Sequence, residues 1–366
     1  MKRLVIDCRM INSSGIGTYL QSNIVGLLNH FEVIVLGSSD ELKKFEWSKS
    51  VKIIHFSAQI YSIKEQLMYP FLIPECEIFW SPHFNIPMLP IRAKKRIVTI
   101  HDVFHLHYYS TLSLVKRIYT SIILKSAVIL SDRIITVSKF SQNELLKFLT
   151  FSGDKIRVIY NAVEGKVFCK GKDSSDRSKL EELGIGQSNY ILCVGNIKPH
   201  KNIKIIFEVL KRNLIPTDIK LVVVGKITGF LTADNQLFRE ISLYPSLKER
   251  VIFTDYINTT DLITLYSHAK IFVFPSLYEG FGIPPLEAMA CKCPVIASDI
   301  PSVREICEDA VLYFTPNDPN DLAQKIQRLI NDDELKAEMI KTGLKRVSQF
   351  SWSKSIQSHT LVFSSL

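Results

Sequence analysis

FPSLYEGFGIPPLEAMACKCPVIAS, residues 274–298, decides how this chain folds. The run IFVF at 271–274 that leads into it has no polar alternation, which marks a parallel strand buried on both faces. A loop over 275–283 follows, and Pro284-Pro285 opens a helix, because a proline at a first helical position gives up no hydrogen bond. Residues 294–297 return as the next strand, so the stretch predicts a strand–helix–strand unit of a parallel α/β sheet. Ligands of such sheets bind beyond the carboxyl ends of the strands, where this loop lies.

Two carboxylates sit in that unit. Glu279 falls in the loop and Glu287 in the first turn of the predicted helix. Between them, Gly280 and Gly282 let a ligand approach the backbone and leave the N–H groups near Phe281 to Ile283 open to an anion. A bland reading makes Glu279 a solvated loop residue and Glu287 a partner of the helix dipole. The clustering favours a site for a ligand with phosphates at the helix mouth and hydroxyls on both sides.

The segment EGFGIPPLEAMACKCPVIAS resembles the Glu–seven residues–Glu signature of retaining glycosyltransferases of family 4 (group 1). The resemblance implies an α/β chain of the GT-B fold, two Rossmann-like domains facing a deep interdomain cleft. It also implies that Glu279 contacts a donor sugar and Glu287 the ribose of its nucleotide, with Gly280, Phe281, Gly282 and Ile283 lining the donor. Other family-like segments recur along nearly the whole chain.

Length and composition agree with two domains. The 366 residues exceed one typical domain, and 46% hydrophobic with 22% charged residues is an ordinary globular balance. Seven cysteines form no Cys-x-x-Cys pair, and Cys291 and Cys293 read as small buried residues before a strand. Unpaired thiols fit a reducing cytoplasm. Met1-Lys-Arg runs straight into a short strand rather than a signal sequence, and no apolar run approaches the roughly 18 residues that cross a bilayer. The net charge of +9 is uneven: residues 1–165 hold 20 Lys+Arg against 13 Asp+Glu, the rest 25 against 23. A basic N-terminal half suits an anionic membrane, phosphorylated acceptors or nucleic acid, and no nucleic-acid motif supports the last. The expected place is the cytoplasm, at the inner face of the plasma membrane.

Taken in order, residues 4–7 are a first strand, followed by a loop with Gly15-Ile-Gly17 and a helix from about Thr18 to Asn29. Two glycines there admit a phosphate or simply make a tight turn; by resemblance they face the donor diphosphate or the acceptor entrance. Residues 96–100 form an apolar strand ending in His101-Asp102, where an imidazole can donate a hydrogen bond to a sugar hydroxyl or a leaving phosphate. The family has an HD pair in this place, so His101 inherits contact with the donor sugar. His105 and His107 complete HDVFHLH without a companion carboxylate of metal-site geometry. Residues 112–130 mix apolar spacing with Lys116, Arg117 and Lys125, and read either as a helix half buried in the domain or as one resting on a membrane. Ser141-Gln-Asn-Glu144 and Ser302-Val-Arg-Glu305 match capping boxes, and residues 166–179 read as a linker.

The predicted domains are 1–165 (acceptor), 166–345 (donor) and a helix at 346–366 returning to the first. The second begins with the strand at 190–194 and GNIKPHKN, with a helix from about Lys201 to Arg212. A lysine at that helix mouth is placed to neutralise a diphosphate, and the resemblance gives Lys201 that role. Asn196 stands where many family members have arginine; Lys226 is a weaker candidate for the same phosphates.

The implied reaction is metal-independent, retaining sugar transfer by front-side displacement assisted by the leaving phosphate. There is no Asp-x-Asp motif and no cofactor is expected. GNIKPHKN resembles mannosyltransferases of bacterial surface polysaccharide assembly, which makes GDP-mannose the first donor, with UDP- and dTDP-sugars open, and a lipid-diphosphate-linked glycan of O-antigen or capsule the acceptor. Two rivals stay open: a catalytically silent glycan-binding relative, and a nicotinamide oxidoreductase, which should show a full Gly-x-Gly-x-x-Gly.

Overall fold

A computed structural model describes residues 1–109, 113–164, 168, 176–225, 241 and 243–366, the side chains of residues 14 and 115 apart. It divides into two compact units, Met1–Asn161 with Trp352–Leu366, and Ala162–Ser351. The expected linker lies outside the described residues except for Phe168 and a helix that starts at Asp176, and Lys226 lies outside them too.

The first unit is a seven-stranded parallel sheet. Its strands are β1 (Arg3–Asp7), β2 (Glu32–Gly37), β3 (Lys52–His55), β4 (Cys76–Ser81), β5 (Ala93–Ile100), β6 (Arg133–Thr136) and β7 (Ile156–Val158), in the order β3-β2-β1-β4-β5-β6-β7. The central strand β1 is apolar on both faces, and Leu4, Val5 and Ile6 are all fully buried. Between β1 and β4 the order reverses, and the loops after these strands meet there.

Helix α1 (Ser14–Leu27) starts four residues before the predicted position, which places Gly15 and Gly17 inside its first turns and not in a loop. Gly17 is a packing residue: a Cβ on it would lie 2.4 Å from the Ile11 carbonyl oxygen, whereas one on Gly15 would meet nothing within 4 Å. Three more helices matter below: α2 (Ile63–Leu72), α3 (Leu114–Leu130) and α4 (Lys139–Phe148). The cap of α4 is Ser138, whose hydroxyl accepts from the Ser141 N–H at 2.9 Å, so Ser141 is not the cap the sequence suggested. Leu124, Ala127 and Val128 bury one face of α3 in the domain core, and Ile123 is buried beside them.

The second unit carries six parallel strands, β8 (Tyr190–Val194), β9 (Lys220–Val224), β10 (Val251–Asp255), β11 (Ile271–Phe274), β12 (Val295–Ser298) and β13 (Leu312–Phe314), in the order β10-β9-β8-β11-β12-β13. All four residues of β11 are buried, as its unbroken apolar run required. Its helices include α5 (Lys204–Lys211), α6 (Thr259–His268), α7 (Ile283–Ala290) and α8 (Asp333–Val347). Ser302 lies within a helix led by Pro301 and does not cap it. Cys291 and Cys293 are buried and unbridged. Here the reversal falls between β8 and β11, which brings the loops after those strands together. The last helix, α9 (Trp352–Ser364), belongs to the first unit, where Phe363 joins the core around Tyr19, Trp80 and Phe31.

Candidate active site

The β8 and β11 loops carry the acid and the cation singled out above. Lys201 does not open a helix. It ends a 3-10 turn, Pro199–Lys201, and Asn202 in the left-handed region (φ 51°) separates that turn from α5. The turn is fixed to the β11 loop by the Leu277 N–H, which donates to the His200 carbonyl at 2.7 Å. This holds the Lys201 ammonium 2.5 Å from Glu279 Oε1, with both side chains mostly buried. A carboxylate and an ammonium at the carboxyl edge of a parallel sheet present acceptors for hydroxyls beside a cation for phosphates. Ser276 Oγ and Asn202 Nδ2, on the same two loops, are buried without a hydrogen-bond partner among the described groups.

Helix α7 begins at Ile283 behind Gly282, whose φ of 90° is one that a side chain would strain. Pro284 and Pro285 lack N–H groups, so this helix mouth offers fewer donors than an ordinary one, chiefly those of Gly282 and Ile283. The β8 loop carries two lysines, Lys198 and Lys201, of which Lys201 is the one paired with Glu279. The Phe281 ring turns inward, edge-on to Phe350 at 5.8 Å, so only its backbone is available to a ligand.

Glu287 lies one position beyond the first turn expected for it, as the fifth residue of α7. Its Oε2 accepts from the Tyr266 hydroxyl of α6 at 2.9 Å. Burial pushes its carboxyl up to about 7, and the Tyr266 bond offsets part of that rise. Around neutral pH it therefore exchanges between an acid and an acceptor-only carboxylate.

In the first unit His101 follows β5 directly. Its Nε2 bonds the Pro82 carbonyl at 2.9 Å, and a carbonyl only accepts, so Nε2 is the protonated nitrogen. Burial holds this imidazole below its usual pKa, in the neutral form. The remaining nitrogen, Nδ1, is an acceptor: the ring is suited to take a hydrogen bond from a sugar hydroxyl, not to donate one to a phosphate as the sequence suggested. Asp102 accepts from the Phe104 N–H at 2.9 Å, and His107 pairs with Glu144 at 3.2 Å.

Behind His101 stands a directed chain. His359 Nδ1 donates to the Ser355 carbonyl at 2.7 Å, which leaves Nε2 to accept from the Tyr19 hydroxyl at 2.5 Å. That hydroxyl accepts from Thr99 at 3.1 Å, and Thr99 Oγ1 accepts from Trp80 Nε1 at 3.0 Å. The Tyr19 ring meets His101 edge-on at 4.9 Å between centroids.

Comparison with known proteins agrees with this architecture. Residues 14–165 match the family described as Glycosyltransferase Family 4, and residues 175–346 match Glycosyl transferases group 1. The chain is a family 4/group 1 glycosyltransferase. The enzyme is 28% identical over 312 residues to "O-antigen chain mannosyltransferase B" of Escherichia coli, covering 83% of this chain and 76% of that one. It is 32% identical over 250 residues to "O-antigen chain mannosyltransferase RfbU" of Salmonella typhimurium, covering 68% of this chain and 64% of the relative. In fold it matches the crystal structure of Anabaena Alr3699/HepE in complex with UDP and glucose, with a TM-score of 0.83 at 19% identity over the full length of both. The glycosyltransferase thus has the GT-B fold.

Within each unit of the enzyme, the structure groups what the sequence kept apart. Lys201 and Glu279, 78 residues distant, form a pair; Gly195, Asn196 and Lys201 share the β8 loop, and Gly280 to Glu287 continue from Glu279. Gly15 and Gly17 shape α1 in the other unit. Tyr266, Tyr19 and His359 escaped the sequence reading, since an isolated aromatic or histidine in a helix reads as ordinary core.

Proposed function

We propose that this glycosyltransferase moves a sugar with retention of configuration from a nucleotide-sugar, GDP-mannose first, to a lipid-diphosphate-linked glycan of O-antigen or capsule assembly. The Lys201–Glu279 pair carries the reading. The ammonium stabilises the departing diphosphate, Glu279 accepts from hydroxyls of the transferred sugar, and Glu287 from the ribose. In the other unit, His101 offers Nδ1 as an acceptor for a ligand hydroxyl. Since Lys201 supplies the positive charge, no metal is required. Gly195, Asn196 and the backbone from Gly280 to Ile283 line the donor, and the work is done at the cytoplasmic face of the membrane.

Mannose is supported by what the two bacterial relatives are named for, whereas UDP in the Anabaena structure keeps the base open. Asn196, in place of the arginine that the family resemblance leads one to expect, favours a second reading, a glycan-binding relative without turnover. Thermal shifts with GDP-mannose, UDP-glucose, a dTDP-sugar and NAD, followed by donor turnover in the presence of chelator, test these readings. Stabilisation by GDP-mannose with chelator-resistant turnover and an α-linked product is expected. Stabilisation by glycan alone supports the second reading, and stabilisation by NAD alone refutes both.

A further inference from the structure

Two helices of the first unit show apolar residues on their outer faces as well as on their inner ones. Helix α2 turns Glu65, Gln66 and Tyr69 inward and leaves Ile63, Leu67 and Phe71, spaced by four, exposed; Ile63 is 81% and Phe71 88% accessible. Helix α3 does the same behind its buried face, with Leu114 (70%), Ile118, Ile122 and Ile129 (67%) outward. Spacings of three and four put each set on one stripe. The helices adjoin where Tyr61, just before α2, meets Tyr119 of α3 edge-on at 6.0 Å. Scattered exposed leucines are ordinary on a protein surface, but two stripes of this size mark something that covers them.

The charges say what. Helix α3 contains no carboxylate, and the one carboxylate of α2, Glu65, is fully buried and paired with Arg9 at 2.7 Å. Every exposed charge on the two helices is therefore positive: Lys64, Lys116 and Lys125. Association of two copies through this face about a two-fold axis would set like charges against each other. An anionic lipid surface reverses the sign, with headgroups meeting the lysines while the isoleucines, leucines and Phe71 enter the acyl boundary. We propose that α2 and α3 together form the face by which this enzyme rests on an anionic membrane.

The face also lies next to the His101 loop. Tyr61 stacks on Phe84 at 5.7 Å and its hydroxyl bonds His83 at 2.8 Å, while the neighbouring Pro82 carbonyl holds His101. A lipid-borne acceptor would then reach the enzyme from the side of that loop. The docking itself requires no transfer reaction, so it can fail without the catalytic reading failing, and the reverse.

Co-sedimentation of the full chain with phosphatidylglycerol or phosphatidylcholine vesicles tests it. Binding to the first at low salt and little to the second is expected. Replacing Lys64, Lys116 and Lys125 by glutamine should weaken partition roughly a hundredfold, about fivefold for each cation. Leu67→Ser with Phe71→Ser, and separately Ile118→Ser with Ile122→Ser, should abolish it while leaving the melting temperature and nucleotide-sugar binding in place. The proposal is overturned by no binding to phosphatidylglycerol, by equal binding to both lipids, or by a dimer in light scattering that the serine variants dissociate.

Discussion

Replacing Glu287 by glutamine should raise stability, and only at the right pH. The wild-type carboxyl sits at about 7 in the fold against a reference of 4.5, because burial disfavours its charge. The native state therefore binds the more protons between those values, and stability falls as pH rises through them. The full penalty, reached above pH 7, is about 3 kcal/mol at roughly 1.36 kcal/mol per unit. Glutamine keeps an oxygen for the Tyr266 hydroxyl and never ionises. By differential scanning calorimetry the variant should melt above wild type at pH 8, by roughly 5–10 °C for a unit of this size, and most of that gap should close at pH 5. An equal gap at both pH values, or none at pH 8, would refute the claim that a buried charge strains α7. If ribose hydroxyls donate to the ionised group, nucleotide affinity should also rise between pH 6 and 8 in wild type and stay flat in the variant.

Other outcomes follow from the same geometry. Tyr266→Phe removes the bond that restrains Glu287, and should move its titration, followed by the pH dependence of melting, to higher pH. Gly17→Ala should cost about 1–3 kcal/mol in urea unfolding because its methyl meets the Ile11 carbonyl, whereas Gly15→Ala should be neutral or gain about 0.5–1 kcal/mol as a helical alanine. His359 is held neutral by burial, down to about 4; its native form binds fewer protons than the unfolded chain, so stability is lost as pH falls from 6.5 toward 4. Trp47, Trp80 and Trp352 all lie in the first unit, so denaturation followed by tryptophan fluorescence should show a loss of at least about 2.5 kcal/mol between pH 7 and 4.5, and a flat profile would contradict the buried neutral imidazole.

Much of this could be read from residue order. An unbroken apolar run such as IFVF identifies a parallel strand because both faces of the sheet are covered, and the Glu279–Glu287 spacing marked one half of the candidate site. Local chemistry was harder. Two glycines concealed the start of α1, since nothing in the sequence says that Ile11's carbonyl occupies the space a side chain would need. Asn202 cut Lys201 off from its expected helix by taking a left-handed conformation, and Ser138 capped α4 ahead of the serine that matched the motif. The tautomer of His101 depends on the Pro82 carbonyl 19 residues away, and the Tyr19–His359 bond joins positions 340 apart. The stripe on α3 left two readings open for another reason: a helix apolar on both sides looks the same in sequence whether its second face meets protein or lipid.

Donor turnover by purified Glu279→Ala, at saturating nucleotide-sugar and with an unchanged melting profile, measures most directly whether the pair formed with Lys201 does the chemistry. Loss of one preorganised partner of this kind is worth about 2.7–4 kcal/mol. The rate should fall about 100-fold or more, and Lys201→Ala should fall with it. Near-normal turnover in the folded Glu279→Ala protein would contradict the assignment.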